Sequence, residues 1–180
     1  MFAPIDGTLV IGLGHKARQG KDTAAGALVR SYPHEVMRFS FADDLYAVCR
    51  VLHGMQGKDA PLLQRVGVAM REQDPDVWIR SVDSKIRTDR PAVAVITDVR
   101  FPNEFAYVKA LGGTCWRIVR ERDGAPFVDP SRPADHVSET ALDGAAWDRV
   151  LVNRDGDPGR FCLDVQREYL LALGFRPVAA

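Results

Sequence analysis

One junction near the start constrains this chain more than any other. The apolar run Thr8-Leu9-Val10-Ile11-Gly12-Leu13-Gly14 passes directly into His15-Lys16-Ala17-Arg18-Gln19-Gly20-Lys21-Asp22-Thr23, and an alanine-rich segment follows. A buried strand, a basic turn ending in Gly-Lys and then a helix is the order that wraps polyphosphate. The loop amides point inward, the lysine neutralises charge and the helix N-terminus adds a favourable dipole. Against the spacing G-x-x-x-x-G-K-[ST], His15 stands where the first glycine would be, with Gly14 one residue early. Asp22 takes the hydroxyl position and Thr23 follows it. A cation such as Lys21 at a helix start opposes the dipole unless an anion sits there. Lys16 and Arg18 crowd the same turn, and clustered cations repel without an anion between them.

The rest of the chain alternates strand and helix character. Short apolar runs at 8–13 and 92–97 suit strands buried on both faces, and 35–40, 114–119 and 150–152 are further strands. Helical periodicity covers 21–31, 42–52 and 61–71. Another helix starts at Pro75 with Asp74 as its cap, one follows Asp98 to Leu111, and one closes the chain to about Leu173. Strands separated by helices predict an α/β fold with a mostly parallel sheet and helices on both faces. Ligands in such sheets sit at the carboxyl ends of the strands, which gathers Gly14, Asp98, Arg120 and Asn153 on one edge. Residues 120–136 carry three prolines and little periodicity, and read as a structureless functional loop.

Composition narrows the function classes. The chain has 180 residues, enough for one domain with a sizeable core. Lys plus Arg and Asp plus Glu number 24 each, which disfavours coating of nucleic acid. No apolar run approaches a membrane span and no signal-peptide core opens the chain, so no membrane partner is expected. Cys49, Cys115 and Cys162 lie far apart in apolar segments and read as three buried structural thiols, as suits a reducing cytoplasm.

Candidate chemistry centres on Lys21, which would bridge the outer phosphates of a nucleoside triphosphate. Asp22 could bind Mg²⁺ or cap the helix, leaving Thr23 to reach the metal. Asp98, at the end of the clearest strand, either organises Mg²⁺ through water or caps a helix, and Arg100 is close enough in sequence to pair with it. Arg117, Arg120, Arg122 and Arg132 lie in or before the long loop, where a closing lid could use them to neutralise a moving phosphoryl group. Arg120, where the strand ends, ranks first among them. In Asp135-His136-Val137-Ser138-Glu139, Ser138 could cap a short helix, while His136 and Glu139 could hold the lid by hydrogen bonds. Trp78 lies on an apolar helix face, where core packing is the commoner role.

The order of these pieces resembles the bacteriophage deoxynucleoside monophosphate kinase family, within the P-loop nucleoside monophosphate kinase-like proteins. The resemblance runs from Val10 to about Tyr169. It rests on Lys16-Ala17-Arg18-Gln19-Gly20-Lys21-Asp22-Thr23 and on Ile96-Thr97-Asp98-Val99-Arg100-Phe101-Pro102-Asn103-Glu104. Phe41-Ala42-Asp43-Asp44-Leu45, Leu63-Gln64-Arg65-Val66-Gly67 with Arg71 and Trp78, and the Asp135–Glu139 segment support it. It implies a three-layer P-loop NTPase fold in a single domain, with a helical acceptor-binding insert at about 40–90 and a lid at about 120–136. It implies transfer of the γ-phosphoryl of ATP to a deoxynucleoside 5′-monophosphate, with Mg²⁺. By similarity, His15 to Thr23 hold the donor phosphates, with Lys21 and Arg18 foremost. Asp22, Thr23 and Asp98 serve the metal. Phe41, Ala42, Arg71, Trp78 and Arg100 line the acceptor, and Asn153 approaches the donor adenine. Two other readings stay open: a kinase of another small phosphorylated metabolite, of phosphomevalonate kinase type, and an ATP-binding switch or assembly protein. The sequence leaves open whether any helix face pairs in a homodimer.

Overall fold

The computed structural model describes residues 2–130 and 135–175. Strand β1 (Leu9–Gly14) lies at the centre, between β3 (Val93–Val99) and β4 (Thr114–Arg122), parallel to both. Strand β2 (Val36–Phe39) flanks β3, and β6 (Arg149–Arg154) flanks β4, again parallel. The parallel order is therefore β2-β3-β1-β4-β6.

Side-chain alternation splits the core into two layers, because successive residues of a strand face opposite sides. Ile11, Leu13, Val93, Val95, Trp116 and Ile118 pack against helix α1 (Lys21–Ser31) and helix α7 (Pro158–Ala172). Val10, Ala94, Ile96 and Cys115 face the other way. Over them lie α2 (Ala42–His53), α3 (Ala60–Gln73), α4 (Val77–Asp89) and α5 (Pro102–Ala110). The three-layer α/β arrangement expected from the sequence is the one the chain adopts.

Several local expectations change. The described part of 120–136 is not structureless. Strand β4 continues to Arg122, turns at Asp123-Gly124 and pairs antiparallel with β5 (Ala125–Pro126). Both turn residues have positive φ, 53° at Asp123 and 78° at Gly124, which fits an Asp-Gly hairpin turn. A one-turn helix, α6 (Val137–Thr140), follows, capped by His136, whose Nδ1 accepts the Ser138 amide at 3.2 Å, rather than by Ser138. Arg132 lies outside the described residues. Helix α4 begins two residues later than expected, with Asp76 at its N-cap, and Asp74 accepts the Asp76 amide and pairs with Arg80. Cys49 and Cys115 are buried, but Cys162 is only half-buried. No described helix is long and apolar enough to cross a membrane.

Candidate active site

The turn after β1 brings its backbone into a concave loop. Gly20 precedes α1 in the left-handed region at φ 107°, which glycine adopts without a Cβ penalty. A Cβ there would stand 2.4 Å from Asn153 Nδ2, so the loop and the end of β6 need this close approach. Asn153 Nδ2 donates to the Gln19 carbonyl at 3.0 Å. Gln19 is itself buried: its Oε1 accepts the Arg120 amide at 2.6 Å and its Nε2 donates to the Phe127 carbonyl at 3.0 Å. The loop is thus tied to β6, to β4 and to the strand-turn that follows it. Among the described residues, no acceptor meets the amides of Arg18, Gly20, Lys21 or Asp22. Amides with no internal partner at a helix N-terminus are donors available to an anion.

Lys21 is buried inside this concavity. Its Nζ donates to the Lys16 carbonyl. Burial, reinforced by the Arg100 charge, pulls its pKa down to about 7, against the Asp98, Glu139 and Asp22 carboxylates. A lysine desolvated to this degree gains full charge when an anion arrives beside it. The neighbouring cations have internal partners in this state. Lys16 pairs with Asp143 at 2.9 Å and Arg18 with Asp129 at 3.5 Å. The repulsion expected from the basic turn is relieved by the fold's own carboxylates.

The displaced glycine has a packing cause. A Cβ on Gly14 would come within 2.1 Å of the Trp147 ring, so glycine is required at position 14. His15 is fully buried and stacks on that ring, with centroids 5.7 Å apart. Its Nε2 lies 3.1 Å from the Glu139 carbonyl and 3.2 Å from Asp143 Oδ1. Burial, with Arg117 near, lowers its pKa to about 4, so the ring is neutral at neutral pH.

A cavity of about 430 Å³ opens along the loop, lined by Arg18 to Thr23, Arg120 and Asn153 to Gly156, with Pro158 at its end. The Asp22 carboxylate is almost fully exposed, 3.9 Å from Arg38 Nη2, and Thr23 stands beside it on the cavity wall. Among the described residues no three carboxylate, thiol or imidazole groups cluster as a metal cage. Mg²⁺ in phosphate sites is held by one or two carboxylates plus phosphates and water. The exposed Asp22 with Thr23 fits that mode.

Other expected residues sit differently. Asp98 Oδ1 accepts the Phe41 amide, and Oδ2 accepts the Ser40 hydroxyl and the Ala42 amide, all at 2.8 to 2.9 Å. It holds the start of α2, and Ala42 takes part through its backbone. Arg100 does not pair with Asp98: its Nη1 donates to Glu139 Oε1 at 2.7 Å. Arg120 and Arg122 both bind Asp155 and both lie 4.9 Å from the Phe127 ring centroid. Of the two, Arg120 reaches the cavity wall. Asn153 also reaches the wall, with its amide committed to the loop. Arg71 packs over the Phe101 ring at 4.4 Å and donates to Glu104 at 3.4 Å. Phe41 and Trp78 are core residues, exposed by only 2% and 3%, so neither presents a stacking face in this state.

Sequence reasoning passed over Glu104, and it gave Glu139 only a part in holding the lid. Glu104 is buried and accepts the Arg100 and Phe101 amides at 2.8 and 3.0 Å, which fixes the turn after β3. Burial and the Asp98 charge push its pKa up to about 7. Glu104 stands three residues after the Phe101 N-cap, where its carboxylate accepts the cap amide as the glutamate of a capping box does, and that spacing could have flagged it.

The described architecture matches solved kinases. A provisionally named kinase from Chloroflexus aurantiacus aligns with a TM-score of 0.51 at 15% identity, over 92% of this chain and 97% of its own. A sugar kinase from Janibacter sp. HTCC2649 aligns with a TM-score of 0.51 at 13% identity, over 94% and 96%. The fold is therefore that of the P-loop kinases. No protein-family model matches the sequence. A stretch of 90 residues is 38% identical to an uncharacterized protein, ORF77, of Ictalurid herpesvirus 1 (strain Auburn). That stretch covers 48% of this chain and spans 37% of the viral protein's length.

Proposed function

We propose that this protein transfers the γ-phosphoryl group of ATP to a deoxynucleoside 5′-monophosphate, releasing ADP and the corresponding diphosphate. The observation that carries the reading is the loop itself: amides without a partner among the described residues, around a buried Lys21 that lines a cavity of about 430 Å³. The triphosphate tail would accept these amides, and Lys21 would regain its proton against the β- and γ-phosphates. Asp22 and Thr23 would hold Mg²⁺, which supplies charge neutralisation between the phosphates. Arg120, Asn153 and Pro158 line the same cavity, and the donor base would lie against Asn153 and the turn after it.

The acceptor phosphate is already anionic and needs no strong base. One of its oxygens attacks the γ-phosphorus in line, and the bond to the β,γ-bridging oxygen breaks, with its electron pair leaving on ADP. This chain's contribution is to align the two substrates, place positive charge around the moving group and exclude water. Arg100 and Arg71, both anchored to Glu104 (Arg100 through its backbone amide), are the cations suited to the acceptor phosphate.

The burial of Phe41 and Trp78 favours one second reading, a kinase of another small phosphorylated metabolite, because neither of these rings presents a face to a base. A coupled ADP-release assay separates the readings. It compares the common deoxynucleoside monophosphates with aliphatic monophosphates of phosphomevalonate type. Stimulation by the nucleotides is expected. Stimulation by the aliphatic acceptors alone would replace the substrate, and ATP binding without stimulation by any acceptor would remove the kinase reading.

A further inference from the structure

Glu139 occupies a position unlike the other carboxylates around the loop. Asp143 and Asp129 each meet a loop cation directly. Glu139 instead joins the loop backbone to an arginine from another strand. Its Oε2 accepts the Ala17 amide at 2.8 Å and its Oε1 accepts Arg100 Nη1 at 2.7 Å. Its backbone carbonyl lies 3.1 Å from His15 Nε2, so main chain and side chain both grip the loop. The side chain is only 8% exposed, and a buried ion pair of good geometry holds its partners in one arrangement.

Lys21 feels both ends of this pair, Arg100 as a repelling charge and Glu139 as an attracting one. Without a carboxylate between them, two neighbouring cations would repel and separate in the ligand-free protein. We propose that Glu139 is a positioning residue: it fixes the Arg100 guanidinium relative to the donor loop, so that donor and acceptor phosphates meet at a set distance. Arg100 sits on the turn after β3, Ala17 on the turn after β1 and Glu139 on α6, so the bridge joins three chain segments at one edge of the sheet. A guanidinium carries five N–H donors, so those of Arg100 not given to Glu139 can bind an anion while Nη1 is held. This rests on the kinase reading above.

A double-mutant cycle tests it. Wild type, Glu139→Ala, Arg100→Ala and the double variant are compared in two assays. One is equilibrium binding of a fluorescent ATP analogue. The other is the single-turnover transfer rate to the acceptor that wild type uses best. Glu139→Ala is expected to slow transfer on the order of 30-fold while changing donor affinity less than about threefold. The double variant is expected to be no slower than Arg100→Ala alone, because residues acting as one unit are not additive. Glu139→Gln, run through the same cycle, keeps the shape and loses the charge. It serves if the alanine variant unfolds, and it is expected to fall between wild type and alanine in rate. Multiplying effects in the double variant, or lost donor affinity with an intact rate, overturns the proposal. Transfer by wild type with an additive cycle overturns this inference alone. Wild type that transfers to no acceptor overturns the kinase reading and this inference with it.

Discussion

The loop after β1 is gripped from several sides, whereas the helical block from α2 to α4 turns apolar side chains toward solvent. Phe127, Asn153, Glu139 and Trp147 all close on the loop, from segments more than 100 residues away along the chain. In the helical block, Val51, Leu52 and Val68 are each more than half exposed. The contrast follows from what each half would hold. A triphosphate tail has one chemistry and rewards fixed amides. An acceptor would vary beyond its phosphate, and on that side Glu104 holds the Arg71 side chain and the Arg100 backbone amide. Preorganisation in this molecule is concentrated around the loop, where the proposed donor would present one invariant chemistry.

The sharpest way to break the comparison is Lys21→Met. Transfer should fall by about three orders of magnitude or more in the ADP-release assay, since the loop's charge is central to it. Its effect on folding should have the opposite sign. The Lys21 pKa is about 7 in the folded chain and about 10.5 when unfolded. The unfolded state therefore holds more protons across that window, and this group makes stability rise with pH from about 7 to 10.5. Denaturant unfolding at several pH values should lose that slope in the variant. A variant that retained wild-type turnover would end the loop's claim to be the donor site.

Glycines sharpen the contrast next. Gly14→Ala drives a methyl into the Trp147 ring and the Val99 carbonyl, so a loss of about 2–3 kcal/mol is expected from overpacking. Gly57→Ala, between α2 and α3, meets nothing within 4 Å and should stay within about 0.5 kcal/mol. Equal losses by urea titration would erase the difference between the halves.

A smaller effect belongs to Glu104, which anchors both arginines. Its pKa is raised from 4.5 to about 7, so the folded state binds the extra proton. Stability from this group therefore falls as pH rises from about 4.5 to 7, and Glu104→Gln should flatten that decline. An unchanged pH profile would show the carboxyl to be ionised throughout. Smallest of all is Leu52→Gln on the exposed face of α2, expected to shift stability by less than about 0.5 kcal/mol and to leave ATP binding unchanged.

Much of the frame was legible because its signals are local. The apolar runs of β1 and β3, and the Gly20-Lys21 start of α1, need only a few neighbouring residues to declare themselves. The segment from Arg120 to His136 was misread because its strand extension depends on pairing with residues far along the chain. The sequence favours the core for Trp78 and the resemblance assigns Phe41 and Trp78 to an acceptor, whereas burial depends on which helices pack over them. Arg120 and Arg122 looked like free lid cations, yet Asp155 holds both.

The order of residues alone set the class of fold and the place of the loop, because period and turn chemistry act within a few residues. Folding in three dimensions decided which carboxylate meets which cation. It set Glu139 against Ala17 and Arg100, and placed Trp147 where only a glycine at position 14 fits. Such contacts join side chains separated by long stretches of chain, and no local pattern encodes the distance between them.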